Sequence, residues 1–398
     1  MDTNPRKLNY VLRSQRMNRG WSQQRVAEQL DTTEDMVSKW ERGISKPSPF
    51  YRERLCNLFN MSAKELGLLE TPDAPGEPNK PALQLAMIDQ AMTSRLDYTE
   101  SIINLSWEAW YASRPRQAAN EITRLLPGLE RMMHKPYLSP YRLRITELVI
   151  RSHALLGTIC MDALQNDSAL FHYMEAHKYA EEIRDTDLTA TYLALIGDVL
   201  RRQNKKLDAI QRMETARDQA INSAQATRGH VLQLLAYTYG DTGNEAAFER
   251  TIQEATDLLA FTGEGRDAAK KEFIPFEIYE IRGKANRDLG KPLQAIFYLD
   301  AAEKSLGRAE HVTPRFHALL DISRGQAYCD AGDLATGVDL ASRGFLLAYQ
   351  CHSPRQMNRV RKLVKKLEGA DSPHKHERQV AQLKELVHET YAEMDLEK

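Results

Sequence analysis

Apolar residues fall at helical spacing along almost the whole chain, with breaks at Gly, Pro or polar clusters. No stretch keeps the period of two that a half-buried strand needs, so an all-α protein is predicted. Near the start, Leu8, Val11 and Leu12 mark one helical face. Val26, Ala27 and Leu30 mark a second, which Ser22 can cap. Val37 and Trp40 mark a third, capped by Thr33 and ended by Gly43. Asp31-Thr32 is the turn between the second and third, with Ala27 small where the two must cross closely. Tyr51, Leu55, Leu58 and Phe59 give a fourth face, and Ser62 with Glu65 forms a capping box opening a last, short element. The pattern predicts a five-helix head over residues 1–70.

Residues 71–81, TPDAPGEPNKP, carry proline at every third position and almost nothing apolar. Proline blocks helix at the residue before it, so an extended tether is expected, able to span roughly 30 Å. From residue 82 to 398 a repeat emerges. Gly157, Ala169 and Ala176 are spaced by twelve and then seven residues, as are Gly197, Ala209 and Ala216. The spacing returns at Gly283, Ala295 and Ala302, and at Gly325, Gly337 and Gly344. Ala236, with Tyr239 and Gly243, supplies a further member. Small residues at these intervals mark antiparallel helix pairs in close contact, the first on helix A and the other two on helix B. A weaker unit is expected around Trp107 to Met133, and closing helices over 354–398.

Charge sharpens the division. Residues 1–70 hold twelve Lys/Arg against nine Asp/Glu, a net of +3 in a chain whose total is −1. A basic head on a mildly acidic body suits a nucleic-acid reader joined to a sensing part. Four cysteines stand far apart with no CxxC pair, which implies free thiols in a reducing compartment. There is no signal-peptide core and no apolar run of spanning length, so a cytoplasmic protein without membrane contact is expected. No phosphate loop, HExxH, GxSxG or paired-Cys signature occurs, so no enzyme, metal or cofactor is expected. The terminal His374, His376 and His388 read as surface residues.

The stretches WSQQRVAEQL, VSKWERG and KPSPFYRERLCNLFNMSAKELGL resemble the phage-repressor (Xre-type) helix-turn-helix family over roughly residues 6–69. One departure is Asp31, where the family usually has Gly; Asp tolerates a left-handed turn. The resemblance implies that the helix opened by Thr33 lies in the major groove of double-stranded DNA. Thr33 then belongs to the outward, DNA-binding face, and Glu34, Asp35, Ser38 and Lys39 are the candidates for base edges, a carboxylate accepting from cytosine and lysine donating to guanine. For Glu34 and Asp35, stabilisation of the helix N-terminus is the alternative. Gln23 would stand beside a phosphate, with Arg42, Lys46 and Arg52 gripping the backbone; plain solvated surface is the alternative for each basic residue. The same resemblance pairs Arg16 with Glu41 structurally. A homodimer on a palindromic operator is implied, with half-sites about 34 Å apart or a multiple of that.

The repeat resembles the tetratricopeptide pattern, a right-handed helical solenoid, with a longer period: units start 40, 39, 47 and 42 residues apart. The whole arrangement is similar to the bacterial peptide-pheromone receptors of the PlcR, NprR and PrgX group. That implies a regulator whose repeat binds a peptide or protein and mediates dimerisation. The alternative is a DNA-tethered scaffold that recruits a protein through an exposed apolar patch. Helix A of each pair would line the concave wall, through positions six and three before the small residue and one and four after it. Among those positions Arg151, Asp198, Arg201, Gln233, Tyr237, Glu280, Lys284 and Arg287 are the ligand candidates, since a peptide backbone needs donors and acceptors.

Overall fold

The computed structural model describes residues 9–69, 80–261, 264–267, 273–306, 313–370 and 372–396, and among these every regular element is helical. The head holds α1 (Tyr10–Asn18), α2 (Gln23–Leu30), α3 (Glu34–Glu41) and α4 (Pro49–Phe59). Each of these starts on a side chain that caps it: Asn9, Ser22, Thr33 and Ser48. The fifth element is a single turn over residues 63–67 rather than a helix. Its capping box is complete, since Glu65 accepts the Ser62 N–H and Ser62 accepts the Glu65 N–H. Leu12, Val26, Leu30, Val37, Trp40, Leu55 and Phe59 form the head's core; Val11 is half-buried and Leu8 lies outside the described residues.

Of the proline-rich stretch, residues 71–79 lie outside the described residues, and Lys80 and Pro81 already begin α5 (Lys80–Tyr111). The compact units do not divide at the prolines. One runs to Glu100 and includes Glu130–Ile145; the other holds Ser101–Leu129 and everything from Thr146 onward. In the first, α1 touches a 3-10 helix over Pro136–Tyr141, and Arg144 pairs with Asp97 and Glu100 of α5.

In the second unit, the end of α5 is followed by α6 (Pro115–Met133) and five helix pairs. They are α7 (Arg142–Asp162) with α8 (Asn166–Glu182), α9 (Thr186–Arg202) with α10 (Lys206–Gln219), and α11 (Gln225–Asp241) with α12 (Glu245–Asp257). Then come α13 (Pro275–Asp288) with α14 (Pro292–Leu306) and α15 (Pro314–Asp330) with α16 (Leu334–Gln350). Two closing helices, α17 (Pro354–Leu367) and α18 (Arg378–Leu396), pack on Phe345 and its neighbours through Val360, Leu363, Val380 and Leu383.

The small residues do what their spacing predicts. A Cβ on Gly157 would come within 2.7 Å of the Tyr173 ring, on Gly197 within 2.7 Å of Met213, and on Gly283 within 2.5 Å of Leu299. On Gly325 it would come within 2.8 Å of the Ala341 backbone. Each obstacle lies sixteen residues after its glycine, between the two small residues of helix B. A second register was not anticipated. Leu164, Asn204, Gly243, Gly290 and Gly332, each seven residues after the first small residue, all have a left-handed backbone, with φ between 63° and 88°. The next N–H closes on the carbonyl five residues back, from Gln165 to Cys160 at 2.9 Å and from Asp333 to Tyr328 at 3.0 Å, with Lys205, Asn244 and Lys291 doing the same. This is the Schellman ending, repeated at all five hairpins.

Candidate functional site

In the head, Asp31 takes φ 53°, ψ 51°, and the Thr32 N–H reaches back to the Ala27 carbonyl at 3.0 Å, so α2 ends and α3 leaves at once. With Val37 and Trp40 buried, the outer face of α3 carries Glu34, Asp35, Ser38 and Lys39. Gln23, Glu34, Ser38 and Arg42 surround one open hollow, to which α1 adds Arg13, a residue the sequence reading missed. Beneath it the buried Glu41 carboxylate receives Arg16 at 2.6 and 3.0 Å and the Gln23 amide at 2.6 Å. Asp35 and Lys39 pair with each other at 2.6 Å, and Arg42 folds back on the Ser38 carbonyl at 3.3 Å. The Thr33 hydroxyl caps α3 through the Met36 N–H. Lys46 is exposed and Arg52 half-buried, both outside the hollow.

In the second unit the first helices of successive pairs converge on a cavity of about 290 Å³. From α7 come Ala154, Thr158 and Met161, from α9 Asp198 and Arg201, from α11 Gln233 and Tyr237, and from α13 Glu277, Glu280 and Lys284. These are positions at the spacing read from the sequence. Arg287 lies instead on an adjoining hollow of about 250 Å³ that shares Tyr237 and Lys284 with the first. Arg151 lines neither. It donates to Asn104 of α5, because α5 runs along that end of α7 and covers it.

The charges inside are locked. Asp198 is gripped by two forks, Arg201 on one oxygen (3.1 and 2.7 Å) and Arg202 on the other (3.0 and 2.8 Å). Burial works against its charge, yet Arg202 and Arg201 hold the carboxyl far below the usual range. Arg201 and Lys284 each stand 4.5 Å from the centre of the Tyr237 ring. Burial brings Lys284 down to about 8 although Glu280, at 3.5 Å, favours its charge; Arg359, Arg355 and Arg201 push the same way as burial.

The cavity wall also holds a residue that the spacing did not reach. Arg315, in the first turn of α15, donates to Asp162 at 2.8 Å, to the Trp110 carbonyl at 3.2 Å and to the Cys351 carbonyl at 2.6 Å, and covers the Trp110 ring. Ser353 adds a hydrogen bond to Asp162 at 2.6 Å. Trp110, Arg202, Arg315 and Arg355 all line the cavity and were missed. Gln326, on the second hollow, sits one residue after Gly325, so the same count carried one pair further would have found it.

Residues 12–66 match the Helix-turn-helix family. The head is a helix-turn-helix domain. No curated protein sequence matches the chain. Among solved structures, a Rap protein complexed with competence and sporulation factor is similar at 14% identity and TM-score 0.45, over 75% of this chain and 89% of that one. Bacillus thuringiensis PlcR, in complex with the peptide PapR7 and DNA, is similar at 11% identity and TM-score 0.33, over 87% and 96%. A tetratricopeptide repeat protein from Parabacteroides merdae is similar at 12% identity and TM-score 0.36, over 73% and 98%. The repeat assignment stands on the shared register of turns and small residues.

The helix-turn-helix domain thus turns the polar side chains of α3 outward. Among the described residues no group of His, Cys, Asp and Glu could hold a metal ion, and no helix is long and apolar enough to cross a membrane.

Proposed function

We propose that the protein is a transcriptional regulator whose helix-turn-helix head, residues 1–70, binds a palindromic operator as a homodimer, and whose repeat, residues 82–398, takes a peptide or a protein segment in its inner cavity. The observation that carries this reading is the convergence of five first helices, α7, α9, α11, α13 and α15, on one cavity. Its wall offers amide, hydroxyl and charged groups of both signs beside an aromatic ring. An extended peptide needs such a mixture, because its backbone must be hydrogen-bonded and its side chains seated. On the DNA side, Ser38 and Lys39 read bases while Arg42, Lys46 and Arg52 hold phosphates. The Lys39–Asp35 pair is exposed and worth at most about 1 kcal/mol, so DNA can exchange it cheaply.

The test is to purify the full chain from its own cells, release bound peptides and identify them by mass spectrometry. Operator binding is then measured with and without the released fraction. A peptide that changes operator affinity in the parent chain but not in Gln233→Ala/Tyr237→Ala supports the reading; a change that survives this substitution overturns it. Light scattering that shows a monomer both alone and on DNA would sink the dimer.

A second reading has one observation in its favour. Phe171, Met174, Leu207, Leu293 and Phe297, all on second helices, are more than half exposed. A recruitment scaffold would use them. Their replacement by Ser would then abolish partner capture while leaving the cavity's occupancy unchanged.

A further inference from the structure

On the wall of the larger cavity, Arg201 and Arg202 share Asp198, Arg315 holds Asp162, and Lys284 faces Glu280. Arg355 of α17 is different. Among the described residues it has neither a hydrogen bond nor an ion pair. One turn further along α17, Arg359 lines the smaller hollow and is bonded only to neutral oxygens: Gln356 at 2.9 Å, Ser323 at 2.9 Å and Gln326 at 2.8 Å. That hollow is lopsided in charge. Its lining sets Lys284, Arg287, Arg359, Lys362 and Lys366 against Asp288 and Asp330, with Glu280 of the larger cavity the further carboxylate beside Lys284.

Two like charges at positions i and i+4 repel each other, and a poorly solvated interior strengthens the repulsion. The titration behaviour agrees. Burial, then the nearby Arg202, brings Arg355 down to about 10, with Asp198 and Asp162 opposing. Burial lowers Arg359 as well, and Arg287 adds to it against Glu280. The start of α17 adds its own positive end, since Ser353 gives its hydroxyl to Asp162 and does not cap the helix. Guanidinium groups whose charge is only partly offset are costly to bury and form strong, directional bonds once an oxyanion arrives.

We propose that Arg355 and Arg359 form an oxyanion subsite where the two hollows adjoin, and that the ligand places a carboxylate there. The site itself stands on the arrangement of α17. Only the identity of the carboxylate's owner, a peptide, rests on the function proposed above. The owner's group is either its C-terminus or an Asp or Glu side chain.

The test measures the melting temperature of the full chain against three probes, at fixed pH and ionic strength. They are inorganic phosphate, a hexapeptide pool with free C-termini and no Asp or Glu, and a C-amidated pool containing both. Phosphate should raise the melting temperature saturably, with a midpoint at least tenfold higher in Arg355→Gln/Arg359→Gln. The variant loses a repulsion but also the three hydrogen bonds of Arg359, so each protein's shift is read against its own melting temperature without phosphate; Arg355→Gln alone serves if the pair does not fold. Protection by the first pool assigns the C-terminus, and by the second a side chain, in either case only if the variant loses it. Phosphate protection that depends on the arginines, with neither pool active, keeps the anion site and overturns the peptide. Phosphate protection that is absent, or equal in parent and variant, overturns the subsite; the equal case would point to the phosphate-gripping head.

Discussion

On the outer face of α3, Asp35 and Lys39 pair at 2.6 Å with 60% and 40% of their side chains open to solvent. On the inner wall, Asp198 meets Arg201 at 2.7 Å with 6% and 10% exposed. The two contacts are almost the same length and differ in every consequence. An exposed pair is held by little and screened by salt, so the head can open it at little cost. A buried fork leaves stranded charge when one partner goes, so the inner wall's carboxylates are built into the scaffold that shapes the cavity. Candidate residues chosen by position alone mixed these two kinds: Asp198 and Arg201 build the wall, whereas Gln233 and Tyr237 have groups to offer a ligand.

The sharpest way to break this contrast is to remove one carboxylate from each side. Asp198→Ala should cost about 3–5 kcal/mol of stability, since Arg201 and Arg202 lose their shared partner. Asp35→Ala should change stability by less than about 1 kcal/mol. Chemical denaturation of both variants reads the difference, and equal losses would end the contrast. Next comes the buried lysine. The folded chain releases the Lys284 proton at about pH 8, whereas the unfolded lysine keeps it to its ordinary 10.5. Its burial therefore lowers stability below pH 8, and stability recovers as pH rises towards 10.5. Lys284→Met should remove that rise, on the order of 3 kcal/mol; a melting curve as steep in pH as the parent's would refute the assignment.

On the head, Lys39→Ala should weaken operator binding by roughly 1–3 kcal/mol while non-specific binding and stability stay nearly unchanged. Equal loss on every DNA sequence would make Lys39 a phosphate contact. The smallest effect concerns the hairpin turns. Leu164 has φ 63°, a strained value for a branched side chain. Leu164→Gly should stabilise the chain by up to about 1 kcal/mol, the relief of strain being partly offset by glycine's freedom when unfolded. The same change at Asn204 should gain less.

Much of this architecture was readable because it is local. Gly157, Gly197, Gly283 and Gly325 announce close helix approach by residue type alone, and counting from Gly283 and from Ala236 reached Lys284, Gln233 and Tyr237 on the wall. The count failed at Arg151, where the covering element is α5, whose path no spacing around Gly157 encodes. It also stopped short of Arg355 and Arg359, because α17 pairs with no small-residue triplet from which to count. Arg315 lies ten residues before Gly325, outside the window, and its partners are 205, 153 and 36 residues away. In the head, the buried Arg16–Glu41 pair followed from resemblance, while the capture of Gln23 by Glu41 emerges only once α2 and α3 are packed together.

Arg315 also sets a clock. One guanidinium joins the end of α5, the end of α7 and the turn after α16, so moving any one of those ends away costs a bond to Arg315. If the cavity takes the proposed ligand, one that left by this side would first have to loosen these bonds. Its residence time is then governed by the latch, separately from how well the wall fits it. Arg315→Lys, which keeps the charge but loses the three-way reach, should quicken both entry and exit in stopped-flow measurements and leave their ratio nearly unchanged.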